Sequence, residues 1–221
     1  MKTVKLGIAG LGHVGCGLIQ LVERQAELRL PGKVEIVGVS ARSKSRNRPV
    51  DISGYTWFDD ASELATHPDV DVFVELMGGS DGPAKVAVEE GLKSGKHVVT
   101  ANKALIAMHG QDLESLAQAS DVDLMFEAAV AGGVPVVRVL RDSLTGVSIQ
   151  RVSGILNGTC NYLTTQMLET GRSYDEVLEE AQRLGYAESD LTLDLSGMDA
   201  EHKAESLASI AFTADLDFSK V

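Results

Sequence analysis

Gly10-Leu11-Gly12-His13-Val14-Gly15 is a G-x-G-x-x-G run that lies between an apolar segment at residues 4–9 and a segment with helical spacing at residues 14–28. In such a run the first glycine permits a tight turn, the second lets a pyrophosphate approach the backbone, and the third lets helix and strand pack closely. The N-terminus of the helix supplies N–H donors and a positive dipole. We therefore assign all six residues to the binding of a dinucleotide cofactor.

The alternation of strand and helix continues beyond this run. Apolar segments at residues 34–39, 70–76, 97–100 and 124–126 predict strands, and residues 60–66, 83–94, 111–120 and 133–144 have helical spacing. Strands that are apolar on both faces and are separated by helices indicate a parallel sheet covered on both sides. The fold class is therefore α/β, with a doubly wound parallel sheet of the Rossmann type.

After residue 146 the pattern changes. Residues 147–156 alternate as a longer strand, residues 159–169, 173–184 and 198–213 have helical spacing, and residues 185–197 form an irregular acidic loop. We therefore predict a dinucleotide-binding domain over residues 1–146 and a second region over residues 147–221.

Composition excludes several classes of partner and location. The chain has 20 Lys and Arg against 32 Asp and Glu, a formal charge of −12 that repels a phosphate backbone, so no nucleic-acid partner is expected. No apolar run reaches the roughly 18 residues of a transmembrane helix, so no membrane partner is expected. Cys16 and Cys160 are too few for a disulfide framework and lack metal-site spacing, which favours a reducing cytoplasm.

The loop after the second strand selects the cofactor, because an acid there bonds the ribose 2′-OH whereas a cation accepts a 2′-phosphate. Residues 40–48 contain no acid and have cations at positions 42, 44, 46 and 48. We assign Arg42 and Lys44 to the 2′-phosphate of NADP, with NAD as the alternative cofactor. An ordinary solvated loop is the competing interpretation.

Two further stretches have a more specific pattern. Ala101-Asn102-Lys103-Ala104 follows a strand end, and Gly185-Tyr186-Ala187-Glu188 precedes an Asp-Leu-x-Gly-x-Asp-x-x-x-Lys run over residues 194–203. Here the chain resembles the homoserine dehydrogenases, and Met77-Gly78-Gly79 and residues 127–135 and 154–162 extend the resemblance over essentially the whole chain. Leu191 stands where the family usually has proline, a change expected to loosen the substrate loop without removing a ligand.

The resemblance implies an oxidoreductase that interconverts L-homoserine and L-aspartate 4-semialdehyde by hydride transfer with NAD(P), in threonine and methionine biosynthesis. It implies that residues 147–221 are the N-terminal part of an α+β substrate and dimerisation domain, in a full-length protein that is a homodimer. Family members continue well beyond the position that matches Val221, so a fragment with uncertain activity of its own is expected.

The resemblance also assigns roles to individual residues. Lys203 is implied as the proton donor, Asp199 as the residue that orients it, and Lys103 as a second cation near the reacting oxygen and the cofactor. Glu188 and Asp194 match positions that receive the ammonium group of the amino-acid substrate. The remaining assignments are Gly78 and Gly79 to the cofactor and Glu127, Val130, Gly132 and Val134 to a monovalent cation such as sodium, whose role would be structural.

Three alternatives stay open. Asp199 and Lys203 are four residues apart on a predicted helix, a spacing also typical of an ion pair on the surface. Cys160 allows a cysteine-dependent semialdehyde dehydrogenase, although a nucleophilic cysteine needs an activating base and His202 is the only histidine downstream. A fragment could also be a non-catalytic NADP-binding module.

Overall fold

A six-stranded parallel sheet organises the first half of the chain in this computed structural model, which describes residues 3–27, 30–187 and 192–212, with the side chain of Leu193 left out. The strands are β1 (Thr3–Ala9), β2 (Lys33–Ser40), β3 (Thr56–Phe58), β4 (Val72–Glu75), β5 (His97–Thr100) and β6 (Leu124–Met125). Their order is β3-β2-β1-β4-β5-β6 and every pairing is parallel. The predicted α/β, doubly wound fold class is confirmed.

The strand order places a crevice at one edge of the sheet. From β1 the chain builds outward through β2 and β3, then returns to the other side of β1 with β4, so the order reverses between β1 and β4. Ligands of open α/β sheets bind outside the carboxyl ends of the strands at such a point. A site is therefore expected among the residues that follow β1, β2, β4 and β5.

The centre of the sheet is buried on both faces. Ile8 and Ala9 at the end of β1 are fully buried, and so are Phe73 and Glu75 in β4. Since successive side chains of a strand point to opposite faces, consecutive buried residues require cover on both sides. Ile8, Val39 and Ile19 lie in one apolar cluster of this core.

Helices connect the strands of the first half. They are α1 (His13–Glu23), α2 (Ala61–Ala65), α3 (Pro83–Lys93) and α4 (Lys103–Ala119), with 3₁₀ turns at Gln25–Glu27 and Glu127–Ala129. The sequence prediction missed β3, which has only three residues, and began α4 at residue 111 instead of Lys103. The side chain of Asn102 accepts a hydrogen bond from Leu105 N at 3.1 Å, so an N-cap starts this helix earlier.

The chain divides into two compact units, Met1–Gly133 and Val134–Val221. The second contains α5 (Val136–Arg138), a π-helical turn (Val139–Ser143), α6 (Gly158–Thr170), α7 (Tyr174–Leu184), α8 (Thr192–Leu195) and α9 (Met198–Phe212). The helix expected over residues 133–144 is thus a short α-helix followed by a π-helical turn. The functional domain boundary expected after residue 146 stays a prediction.

The prediction of a strand over residues 147–156 is wrong, because these residues form neither strand nor helix. A strand needs hydrogen-bonding partners along its length, and residues 134–187 and 192–212 contain no strand that could pair with it. Val147 and Ile155 are 59% and 77% exposed, so the alternating apolar residues do not define a buried face. Over the described part of the chain, no helix is both long and apolar enough to cross a membrane.

Candidate active site

The glycine run forms the turn between β1 and α1 at the edge of the crevice. A side chain on Gly10, whose φ is +99°, would place its Cβ 2.3 Å from Leu76 O, and a Cβ on Gly15 would lie 2.0 Å from Gly10 O. Both positions therefore exclude any side chain. An ideal Cβ on Gly12 meets nothing within 4 Å, so the space beside the start of α1 is open. This geometry fits a pyrophosphate lying against the helix N-terminus.

The other residues of the run have different environments. Leu11 is buried, whereas His13 and Val14 are exposed in the first turn of α1. Leu11 O accepts a hydrogen bond from the thiol of Cys16 at 3.6 Å, which satisfies a buried group inside the core. Leu11 thus anchors the turn, and the two exposed residues lie beside the open space.

The basic loop after β2 is shaped by one of its own cations. The Arg48 guanidinium donates to the carbonyl oxygens of Ser43 at 2.5 Å, Lys44 at 3.2 Å and Arg46 at 3.0 Å. The Arg48 guanidinium and Lys44 Nζ each lie 5.9 Å from the centroid of the Trp57 ring. Arg48 therefore holds the loop together, and Arg42, Lys44 and Arg46 are exposed on it. The sequence did not separate these two kinds of cation.

The turn after β4 contains Gly78 and Gly79, both exposed and with φ of +80° and +89°. A fully buried carboxylate, Glu75, lies beneath it and accepts hydrogen bonds from Met77 N at 2.6 Å and Gly78 N at 3.1 Å. Asn102 Nδ2 donates to Gly79 O at 2.7 Å. Lys103, half-buried, is the first residue of α4 and follows Asn102 directly. Gly78 and Gly79 follow β4 and Lys103 follows β5, so all three lie at the carboxyl ends of two neighbouring parallel strands.

The second unit brings Asp199 and Lys203 together on α9. Lys203 Nζ donates to Asp199 Oδ2 at 2.7 Å and to Leu156 O at 2.9 Å. The side chain of Asp199 is 4% exposed and that of Lys203 is 20% exposed. This environment differs from a solvated surface ion pair, because a carboxylate this buried must be neutralised by its partners. A largely buried lysine held by a carboxylate is an arrangement that can hold or transfer a proton.

Asn157 joins this pair to the acidic loop. Its Nδ2 donates to Asp199 Oδ2 at 2.9 Å and to Asp194 Oδ1 at 2.7 Å, while its Oδ1 accepts from Cys160 N and caps α6. Cys160 Sγ donates to Asp194 O at 3.3 Å. Asn157 has no assigned role in the sequence-based prediction, where its position in residues 154–162, a segment that carries the family resemblance, was the available signal. Asp194, on α8, is half-buried, and Glu188 lies outside the described residues.

A second acidic group on α9 has an unusual environment. Burial, together with the nearby charge of Glu201, raises the pKa of Glu205 to about 7. Its Oε2 is buried without a hydrogen-bond partner. Because of this raised pKa, the charge of Glu205 changes near neutral pH, two residues along α9 from Lys203.

The expected cation ligands are divided between the two units. Glu127 begins a 3₁₀ turn and, with Val130 and Gly132, belongs to the first unit, whereas Val134 begins the second. Where the chain is described, no three His, Cys, Asp or Glu residues are grouped as metal ligands. The proposed set differs from such a group because it combines one carboxylate with backbone carbonyls, oxygen donors that suit a hard cation.

Comparison with known families covers nearly the whole chain. Residues 10–127 match a family described as "Homoserine dehydrogenase, NAD binding domain", and residues 135–221 match one described as "Homoserine dehydrogenase". A homoserine dehydrogenase of Pseudomonas aeruginosa is 46% identical over an alignment of 223 residues that covers 100% of this chain and 51% of that protein. One from Corynebacterium glutamicum is 46% identical over 214 residues, 96% of this chain and 48% of that protein. The chain spans about half the length of the curated relatives it matches.

Solved structures agree with the sequence comparison. The crystal structure of a homoserine dehydrogenase from Thiobacillus denitrificans has a TM-score of 0.89 and 40% identity, covering 99% of this chain and 51% of that one. A hyperthermophilic archaeal homoserine dehydrogenase in complex with NADPH has a TM-score of 0.83 and 28% identity, covering 96% of this chain and 71% of that one.

Proposed function

The chain belongs to the homoserine dehydrogenase family, and from this premise we propose that the complete protein interconverts L-homoserine and L-aspartate 4-semialdehyde with a nicotinamide dinucleotide. The observation that carries the proposal is the buried Asp199–Lys203 pair. A dehydrogenase must hold its cofactor, grip its substrate and move one proton, and Lys203 is a group suited to the last task.

Cofactor binding is proposed for the first unit. The open space at Gly12 and the N–H groups at the start of α1 would hold the pyrophosphate, and the turn with Gly78 and Gly79 would hold the nicotinamide end of the cofactor. Arg42 and Lys44, exposed on the loop that Arg48 organises, receive the 2′-phosphate, so NADP is preferred over NAD. The bound cofactor supplies or accepts the hydride. The NADPH complex of the archaeal relative supports this assignment by analogy.

Proton transfer is proposed for the second unit. In the reductive direction the Lys203 ammonium gives a proton to the carbonyl oxygen of the semialdehyde, and in the oxidative direction the neutral amine takes it back from homoserine. Asp199 orients Lys203 from a position fixed by Asn157. Lys103 provides a second positive charge near the reacting oxygen, while Asp194 and Glu188 receive the substrate ammonium group.

The proposal extends to a cation site, the oligomeric state and the location. Glu127, Val130, Gly132 and Val134 hold a monovalent cation such as sodium, with a structural role. The complete protein is a homodimer of the reducing cytoplasm and acts in threonine and methionine biosynthesis. Its low cysteine content, with both thiols free, supports the location.

The comparisons do not favour a cysteine-dependent semialdehyde dehydrogenase. Its candidate nucleophile, Cys160, donates its thiol hydrogen to the backbone oxygen of Asp194 instead of to a base. A cysteine mechanism would further predict loss of activity on thiol alkylation and a requirement for phosphate. Assays of the alkylated protein, and of the untreated protein with and without phosphate, test the two expectations.

The test is a spectrophotometric assay of homoserine-dependent NADP reduction by the complete protein, with this 221-residue chain measured beside it. We expect turnover that needs both homoserine and NADP. Cofactor binding without turnover in the complete protein would overturn the enzymatic proposal and leave a nucleotide-binding module.

A further inference from the structure

The function proposed above gives no role to Glu75, although it is a fully buried acid at the edge of the cofactor crevice. Its Oε1 accepts from Met77 N and Gly78 N, and its Oε2 accepts from Thr100 Oγ1 at 2.5 Å. These three donors are neutral. A buried carboxylate held in this way is costly unless its hydrogen bonds are all made, so the site is sensitive to the loss of any of them.

The hydrogen bonds continue from Glu75 into a closed ring. Thr100 Oγ1, which donates to Glu75, accepts from Asn102 N at 2.9 Å. Asn102 Nδ2 in turn donates to Gly79 O, and Gly79 belongs to the turn whose N–H groups bind Glu75. The ring therefore ties the turn after β4 to the end of β5 and to the first residue of α4.

The direction of each hydrogen bond in the ring is fixed. Asn102 Oδ1 accepts from Leu105 N, which leaves Nδ2 as the donor to Gly79 O. Thr100 Oγ1 accepts from Asn102 N and donates its single hydrogen to Glu75 Oε2. Both oxygens of Glu75 act as acceptors, a pattern that the two oxygens of a carboxyl group satisfy and the single oxygen of an amide does not.

We propose that Glu75 is a positioning residue, which acts through Thr100 and Asn102 to hold the Met77–Gly79 turn and Lys103 in fixed register. The proposal deepens the function above and rests on it, since that function makes the turn the nicotinamide-facing surface and Lys103 the second cation. Small displacements of such groups reduce reaction rates strongly, because orientation supplies a large part of catalysis. Glu75 itself touches neither substrate nor cofactor.

The experiment compares Thr100→Val, Asn102→Ser and Thr100→Ser in the complete protein. Thr100→Val removes the donor to Glu75 with little change of shape. Asn102→Ser keeps a residue that caps helices well but loses the donor to Gly79 O. Thr100→Ser keeps the hydroxyl and is the conservative rescue. Thr66→Val is the matched control, since the hydroxyl of Thr66 is exposed and bonds only within α2.

Each variant is assayed for kcat, for melting temperature and for calorimetric affinity toward two probes, NADP and 2′-phospho-ADP-ribose, which lacks the nicotinamide. We expect Thr100→Val and Asn102→Ser to weaken NADP binding and lower kcat by roughly ten- to a hundredfold, while affinity for the fragment changes less than threefold. Thr100→Ser and Thr66→Val should remain within threefold of the wild type in every measurement.

Equal weakening of NADP and the fragment by Asn102→Ser would overturn the proposal, because general loosening affects both probes. A normal NADP affinity and kcat in folded Asn102→Ser would overturn it as well. A failure of the proposed function is distinguishable. In that case the wild type shows no homoserine-dependent turnover. The two variants still test the positioning role of Glu75, because they should weaken binding of NADP but not of 2′-phospho-ADP-ribose.

Discussion

Two buried carboxylates, one in each unit, have opposite surroundings. Glu75 receives three neutral donors, two of them backbone N–H groups, at the end of a strand. Asp199 receives the Lys203 ammonium and the Asn157 amide on a helix. Their burial is similar, at 0% and 3% exposure. The difference therefore comes from the partners alone.

The comparison separates holding from proton transfer. A carboxylate bound by backbone N–H groups fixes the geometry of the chain around it. A carboxylate bound by a lysine controls where a titratable group lies. We expect variants around Glu75 to weaken cofactor binding together with turnover, and variants of Asp199 and Lys203 to change turnover alone.

The largest effect is expected for Lys203→Met, which keeps much of the apolar stem and removes the charge and the proton. General acid catalysis typically contributes 10²–10⁴-fold, so kcat of the complete protein should fall by about that factor while the Kd for NADP stays within a few fold. Stopped-flow turnover and calorimetry measure the two quantities.

Lys85→Met is the matched control, because Lys85 lies four residues before Glu89 on α3 with an Nζ to Oε1 distance of 3.7 Å. It should leave kcat unchanged. Turnover of Lys203→Met within threefold of the wild type would break the comparison and move the donor role to Lys103.

The next effect concerns the basic loop of the first unit. A charge-assisted hydrogen bond contributes about 1.5–3 kcal/mol, so Arg42→Ala or Lys44→Ala should weaken NADP binding roughly ten- to a hundredfold and leave NAD binding nearly unchanged. Calorimetry with both cofactors tests this. Arg24→Ala, which removes an exposed cation paired with Glu27, is the control. Equal losses for NADP and NAD would show that the loop does not read the 2′-phosphate.

Glu205 is a third buried acid, and it differs from Glu75 and Asp199 because its buried Oε2 has no hydrogen-bond partner. Its pKa is raised from 4.5 to about 7 by burial first and by Glu201 second. The folded state therefore binds the proton more tightly than the unfolded state, and the cost of ionising Glu205 grows as the pH rises from 4.5 through 7. Glu205→Gln should stabilise this chain by up to about 3 kcal/mol at pH 8 and by nothing below pH 4.

Thermal unfolding at the two pH values measures the effect of Glu205→Gln, with the exposed Glu179→Gln as control. Destabilisation of Glu205→Gln at pH 8 would mean that the ionised carboxylate has a stabilising partner.

The smallest effect is expected at the start of α7, where Ser173 and Glu176 form a capping box. Ser173→Ala should lower the free energy of unfolding by about 1 kcal/mol without changing kcat or cofactor affinity. Hydrogen bonds from the backbone and then the side chain of Ser173 lower the pKa of Glu176. That contribution is present above pH 4.5 and is lost as the pH falls through the lower folded value, so part of the difference should vanish in acid.

Denaturant unfolding at pH 7 and pH 3 measures the Ser173→Ala effect. A change in turnover would connect α7 to the site and contradict the proposed separation of roles.

The fold could be predicted from the sequence because its determinants are local. Gly10 is favoured by its own φ of +99° and Gly15 by its close approach to Gly10 O, both within one turn, and apolar segments marked five of the six strands. The three-residue β3 has too little periodicity to detect. The strand at residues 147–156 was predicted wrongly, because alternation describes a strand only when another strand pairs with it.

The sites were less accessible to sequence reasoning because their contacts are distant along the chain. In the sequence Glu75 is one polar residue within the apolar segment at residues 70–76, and Thr100, which donates to it, is 25 residues away. Asn157 is 42 residues from Asp199. Asp199 and Lys203 could be paired from helical spacing, but their burial could not. The separation of Arg48 from Arg42 and Lys44 likewise depends on the folded loop.

The ring around Glu75 also has a consequence for hydrogen exchange. Met77 and Gly78 belong to a short turn, where amides ordinarily exchange with solvent quickly, yet both N–H groups donate to a fully buried carboxylate. Exchange at these amides requires the carboxylate to lose its donors, so the two protons should exchange slowly, at rates governed by opening of the ring. They are therefore intrinsic reporters of the order of this turn, readable by deuterium labelling before any cofactor is added.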